Sequence, residues 1–217
     1  MKSTKVGIIG SGQVAQTLGR GFLESGYKVM LSSRDESKLD EWQSDAGEHA
    51  KKGTFAEAAA YGDIVVLAVA GVVAEDAVKL AGIDNLKGKT VIDVTNPIAK
   101  EAPVNGLLKF FSDINESLME RLQRLAPEAR FVKCFSCVGN HYMYKPQFAD
   151  GVPTMFICGD NDEAKHEVKD ILEQFGWEYE DMGGAEAARA IEPLCMLWCI
   201  PGFRENRWTH AFKLLKA

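Results

Sequence analysis

Val6-Gly7-Ile8-Ile9 runs directly into Gly10-Ser11-Gly12, and apolar residues then recur at Val14, Leu18 and Phe22. A short apolar run, a pair of glycines and a spacing of three to four predict a buried strand, a tight turn and a helix. That junction restricts the fold more than any other feature. A helix leaving a strand in this way packs back on the sheet through a right-handed crossover and delivers the chain to a parallel neighbour. Tyr27 to Leu31, just after Gly26, reads as that second strand.

The alternation continues. A charged helical stretch is expected from about Glu36 to Ala50, a stub of strand at Thr54 and Phe55, and a continuous apolar strand from Ile64 to Val69. Ala74 to Leu80 reads as helix, Thr90 to Val94 as strand, Ile114 to Leu125 as helix and Arg130 to Cys134 as strand. Two long irregular connections, Asn96 to Asp113 and Ser136 to Pro153, are of the length that often carries function. The expected fold class is α/β, a doubly wound, mostly parallel Rossmann sheet with a short helical C-terminal extension. Residues 1–182 would form the main domain with an extra strand–helix–strand unit (Thr154 to Cys158, Asp162 to Phe175, Glu178 to Glu180). Residues 183–217 would form a helical segment, interrupted by Pro193 and Pro201-Gly202, that lids a cleft or makes a dimer contact.

Composition narrows the partners. A net charge of −6 gives no support to nucleic-acid or anionic-membrane binding, either of which favours a basic face. No apolar stretch reaches membrane-spanning length, and the polar start Met1-Lys2-Ser3-Thr4-Lys5 carries no secretory leader pattern. Five cysteines, an odd number, suit a reducing compartment, so a cytoplasmic protein is expected. His49, His141, His166 and His210 are scattered without ligand spacing, so no metal site is expected. The tail residues Leu194, Leu197, Trp198, Phe203, Trp208 and Phe212 exceed what a small helix needs to bury, which points to packing on the sheet or to a homodimer.

Gly10-Ser11-Gly12-Gln13-Val14-Ala15 fits G-x-G-x-x-A. Gly10 permits the tight turn, Gly12 presents no side chain to a pyrophosphate, and Ala15 lets the helix lie close to its strand. The unpaired amides and positive dipole end of the helix complete a dinucleotide phosphate site. A site for NAD places a carboxylate at the end of the second strand to bond the ribose 2′-hydroxyl. Here that place holds Ser32-Ser33-Arg34, with Lys38 returning from the next turn. Two hydroxyls, a guanidinium and an ammonium suit a 2′-phosphate, so NADP(H) is the expected cofactor. Asp35 is expected to cap the next helix and point away.

The opening decapeptide from Val6 to Ala15, with Ser32-Ser33-Arg34 and Lys38, resembles the coenzyme F420-dependent NADP oxidoreductases. Val132 to Ser136, Phe156 to Asp160 and Glu192-Pro193-Leu194 are similar to that family's bacterial branch. The resemblance implies that Ser11, Gly12, Gln13 and Val14 line the pyrophosphate, and that Ser33, Arg34 and Lys38 meet the 2′-phosphate. It also implies that Ala68, Val69 and Ala70 pass beneath the adenosine-to-nicotinamide bridge. Asn96 and Pro97 would approach the nicotinamide, and the facing cleft wall would run from Cys134 to Asn140.

Hydride transfer to a conjugated ring, F420 or a flavin, asks mainly for positioning and exclusion of water. Reduction of a small carbonyl or imine needs a proton donor. His141, Tyr142, Tyr144 and Lys145 are the residues available for that role, and each also reads as a packed loop residue. A ring-type acceptor is therefore favoured, with small-carbonyl or imine reduction and a non-catalytic NADPH-sensing module as alternatives. Cys134 and Cys137 form a C-x-x-C without a thioredoxin context, and Cys195 and Cys199 read as core.

Overall fold

The computed structural model describes residues 4–216, so Met1-Lys2-Ser3 of the polar start lies outside the described residues. Strand β1 (Lys5–Ile9) enters helix α1 (Gln13–Glu24), which returns the chain to β2 (Lys28–Ser32). A 3-10 turn at Glu36–Leu39 precedes α2 (Asp40–Ala46) and β3 (Ala50–Gly53). There follow α3 (Phe55–Tyr61), β4 (Ile64–Leu67), α4 (Ala74–Ala81), the single turn α5 (Ile83–Leu86) and β5 (Thr90–Asp93). The second half holds α6 (Leu118–Leu125), β6 (Arg130–Lys133), β7 (Thr154–Ile157), α7 (Asp162–Gln174), β8 (Glu178–Asp181) and α8 (Ala188–Glu205). Six strands pair in parallel in the order β3-β2-β1-β4-β5-β6, while β7 and β8 form a separate parallel pair. The main sheet is therefore the doubly wound Rossmann type, and its strand order reverses between β1 and β4.

Side-chain alternation explains the two layers of core. Val6 and Ile8 of β1, with Val29 and Leu31 of β2, face Leu18 and Phe22 of α1 and the apolar side of α7. Ile9, Val65, Leu67 and Val91 face the opposite way, against α3, α4 and α6. Burying strands on both faces requires the nearly continuous apolar runs seen in the sequence.

Helix α8 runs unbroken through Pro193 and Pro201 and stops at Glu205, so the C-terminal segment is neither interrupted at the prolines nor helical beyond that residue. Three further boundaries differ from the sequence expectation, each for a local reason. The charged stretch after Arg34 does not form one helix to Ala50: Gly47, at φ +80°, ends α2, and Ala50–Gly53 pairs with β2 instead. Thr54 and Phe55 are not strand, because the Thr54 hydroxyl accepts the Glu57 N–H and starts α3 there. Helix α6 begins at Leu118 rather than Ile114, set by the same box between Ser117 and Glu120. The extra strand–helix–strand unit forms, but its two strands pair with each other. They meet the main sheet at one bridge, where the Lys133 N–H donates to the Cys158 carbonyl at 3.0 Å.

Helix α8 ends at Asn206, in the left-handed region at φ 52°, and the tail turns back along it. The Trp208 indole lies flat against Gly202, where a Cβ would fall 2.2 Å from the ring. Trp198 Nε1 donates to the His210 carbonyl at 2.8 Å, and the Phe212 carbonyl accepts from the Thr154 N–H at 2.9 Å. Among the described residues no helix is long and apolar enough to cross a membrane.

Helices α6 and α8 are tied by Arg189, whose Nε donates to Glu120 Oε2 at 3.0 Å. The Arg189 hydrogen bond is the main reason the Glu120 carboxyl is held down from 4.5 to about 2. A depressed carboxyl adds stability above its unfolded value and loses it as the pH falls toward its folded one. Glu120→Gln should therefore flatten the loss of stability between about pH 5 and pH 2, as read by urea melts across that range. An acid limb identical to wild type would show that the tie contributes nothing.

Candidate functional site

The carboxyl edge of the sheet opens where the connections leaving β1 and β4 part. Gly10 sits at φ +141°, and a Cβ there would lie 2.2 Å from the Ala68 carbonyl oxygen. Only glycine allows the two strand ends to approach so closely. Gly12 caps α1 with extended backbone and no side-chain bond, and a Cβ built on it meets nothing within 4 Å. The first turn of α1 carries no acidic residue, whereas Thr54, Ser117 and Asn161 cap α3, α6 and α7. Helix α1 thus presents bare amides to an open cradle. Gln13 and Val14 form its first turn, and Ala15 is fully buried against the strand.

At the end of β2, Ser32 is fully buried and its hydroxyl donates to the Ile8 carbonyl at 2.7 Å. It holds β1 and β2 together and has no exposed surface. Ser33 is nearly buried, with its hydroxyl accepting the Asp35 N–H at 3.2 Å. Arg34 and Lys38 are exposed. Asp35 turns its carboxylate back onto Ser37, accepting the hydroxyl at 2.6 Å and the N–H at 3.2 Å. The hydroxyl bond from Ser37 is the main cause that lowers the Asp35 carboxyl below its ordinary value.

These elements enclose a cavity of about 590 Å³. It brings together Gly10, Ser11 and Gly12 from the turn, Ser33, Arg34 and Lys38 from the β2 end, and Ala68, Val69 and Ala70 after β4; Asp35, expected to point away, lines it too. Phe55, Val73, Ala77 and Leu80 also line it, as does Asp76. The sequence reading missed these. Phe55 opens α3, and the others share one face of the 73–80 region, a spacing that also fits simple core packing.

Beyond this cavity the loops after β4, β5 and β6 converge on Asn96. Its side-chain amide donates to the Ser136 carbonyl at 2.8 Å, and its own carbonyl oxygen would lie 1.9 Å from a Cβ on Gly71. Asn96 Oδ1 and Ser136 Oγ are buried without a hydrogen-bond partner. Pro97 is buried beside them. Cys134 corrects the expectation: its side chain is fully buried in the core, and its N–H donates to the Asp93 carbonyl at 3.0 Å. Strand and loop residues from Cys134 to Val138 all point inward, so only Gly139 and Asn140 of the expected wall reach the surface. Tyr142 stacks on Phe148 and Tyr144 packs edge-on against Phe175, while His141 and Lys145 are exposed.

Residues 5–97 match the family model described as NADP oxidoreductase, coenzyme F420-dependent. The crystal structure of a candidate F420-dependent NADP reductase from Arthrobacter sp. FB24 superposes with a TM-score of 0.92 at 27% identity, covering 99% of this chain and 100% of that one. Metalloreductase STEAP3 of Rattus norvegicus is 31% identical over 207 residues, which are 92% of this chain and 39% of that protein. Metalloreductase STEAP2 of Homo sapiens is 27% identical, over 89% of this chain and 36% of that protein. The chain thus spans well under half the length of these curated relatives. A reductive aminase from Aspergillus terreus solved with NADPH shares the fold alone, with a TM-score of 0.67 at 18% identity over 93% of this chain and 62% of that one. The chain is built on a Rossmann sheet and is similar to NADP-dependent oxidoreductases. Over residues 5–97 it is similar to the coenzyme F420-dependent NADP oxidoreductase family, and over its whole length to the Arthrobacter structure.

All five cysteines are unpaired and buried. Burial pushes the thiols of Cys137 and Cys158 up to about 12 and that of Cys134 well above its ordinary value. Cys195 and Cys199 share a hydrogen bond that raises the first and lowers the second. Since the thiolate is the reactive form, Cys199 should react first with iodoacetamide at neutral pH, with Cys134, Cys137 and Cys158 labelled only on unfolding. Peptide mapping that found early labelling at Cys134 would contradict this placement.

Proposed function

We propose that the protein transfers hydride between NADP(H) and a planar ring acceptor, a deazaflavin such as F420 or a flavin. The observation that carries the reading is the bare amino end of α1 facing a cavity whose far rim holds Arg34 and Lys38. The residues present fit the cofactor: a cradle over Gly12 that no side chain fills, and an unpartnered buried oxygen on Asn96. When bound, NADPH supplies the hydride.

The protein's own contribution is placement. Backbone amides from Ser11 to Val14 hold the pyrophosphate, with charge favoured by the α1 dipole. Ser33, Arg34 and Lys38 hold the 2′-phosphate, and Ser32 acts only by fixing the β2 end. Phe55 and Leu80 flank the adenine, and Ala68 to Ala70 offer a floor without long side chains. Asn96 and Pro97 border the nicotinamide. Tyr142 and Tyr144 are committed to packing, which favours an acceptor whose own ring delocalises the incoming charge over one that needs a proton donor. The C-terminal segment, helix α8 with its returning tail, closes the site on that side, and exposed Leu197 and Phe203 of α8 form the face for a second copy in a homodimer. Five free thiols suit a reducing cytoplasm.

Metal reduction is the second reading. STEAP3 and STEAP2 are metalloreductases by name, and STEAP3 aligns over 92% of this chain. NADPH oxidation measured with F420, FMN, FAD, a ferric complex and a cyclic imine separates the readings. Turnover with the ferric complex alone would replace the ring acceptor, turnover with the imine alone would require a proton donor, and tight binding without turnover would make the protein a sensor. Arg34→Ala should weaken NADPH binding by about tenfold at roughly 0.1 M salt while leaving NADH unchanged, as measured by calorimetry. Equal losses for both nucleotides would remove the 2′-phosphate assignment.

A further inference from the structure

Behind the Asn96 corner lies a buried charge cluster that the cofactor reading does not use. Lys133, at the end of β6, is 0% exposed, as is Asp93 at the end of β5. Its ammonium lies 2.6 Å from Asp93 Oδ2, 2.9 Å from Glu192 Oε1 of α8 and 2.8 Å from the Thr95 carbonyl. The Thr95 carbonyl accepts a hydrogen bond from the ammonium, and the two carboxylates hold it as ion pairs. Burial works against the charged form, but Asp93 and Glu192 outweigh it and raise the lysine above its ordinary value.

Each partner passes the constraint on. Asp93 Oδ1 accepts the Thr95 N–H at 2.9 Å and the Thr95 hydroxyl at 2.6 Å, which folds the turn after β5. Glu192 accepts the N–H groups of Leu118 and Met119, each at 3.0 Å, at the amino end of α6. One ammonium and two carboxylates carry a net negative charge, which the positive end of α6 offsets. Thr95 then hands the chain to Asn96, which is bonded to Ser136 and pressed against Gly71.

A buried ion cluster is a poor way to gain stability, since apolar residues of the same volume do as well. Geometry is what this one supplies. Resting on the reading that the nicotinamide lies beside Asn96 and Pro97, we infer that Lys133 is a positioning residue for hydride transfer. It pins the Thr95 carbonyl from beneath, and so sets the height and tilt of the Asn96 corner without itself touching the cofactor. An error of about an ångström there is enough to lower a hydride-transfer rate steeply.

Lys133→Met alone leaves two buried carboxylates unpaired and is expected to unfold the domain. The test therefore adds Asp93→Asn and Glu192→Gln to it, which removes the charges and keeps the shapes. NADPH is titrated into wild type and triple variant by calorimetry, and the emission of its reduced nicotinamide is followed in the same samples. The triple variant should bind NADPH within about threefold of wild type, because the phosphate contacts are untouched, while the emission shifts toward that of free NADPH. A folded variant with wild-type emission would overturn the inference. So would loss of affinity in parallel with emission, an unfolded variant, or a wild type whose bound NADPH emits like free NADPH. A wild type that binds no NADPH at all would instead bring down the functional reading, and this inference with it.

Discussion

The contact between Gly10 and the Ala68 carbonyl fixes where everything else on the carboxyl edge can stand. Two strand ends that approach to backbone contact leave no room for a side chain, so the chain must leave β1 sharply and start α1 at once. The first amides of α1 are thereby aimed across the switch point of the sheet, where β1 and β4 send their crossovers in opposite directions. The same closeness puts Ala68, Val69 and Ala70 directly under the crevice. A bulkier residue at position 10 would act on the whole crevice, because it would separate the two strands that define it.

Electrostatics at the rim is local and runs against the molecule's overall balance. The chain carries a net charge of −6, yet the end of β2 presents a guanidinium and an ammonium. Asp35, which stands between them in sequence, also lines the cavity, so its carboxylate offsets part of that positive charge. Ser37 engages it with two hydrogen bonds, so the carboxylate also serves as a helix cap. At physiological salt, attraction over more than about 8 Å is largely screened, so the nearby pair outweighs the distant surplus of acid.

Much of this was legible because it is written in adjacent residues. The strand, the glycine turn and α1 occupy one short segment, and Ser33, Arg34 and Lys38 follow within a single further strand and turn. The doubly wound, mostly parallel sheet followed from alternation and handedness, although β3 did not. What escaped the sequence depends on residues far apart in the chain. Lys133 in an apolar strand, Asp93 in another and Glu192 in a proline-containing helix give no local sign that they share one buried point. Cys134 failed for a related reason: a residue just past a strand end reads as cleft lining, but its side chain follows the strand alternation into the core. Thr54 and Ser117 show the opposite case, where a capping box was present in the sequence and placed the helix starts more exactly than hydrophobic spacing did.

Gly202 has a consequence for how the tail is held. The indole of Trp208 occupies the volume that any side chain at 202 would fill, and Trp198 beneath it is also engaged by His210. The return of the last described residues to β7 therefore depends on a missing methyl. Enlarging that one position would evict the ring, unclasp the strand-side contacts of Phe212, and lay bare an oily stripe on α8 that a chain molecule in solution would seek to cover.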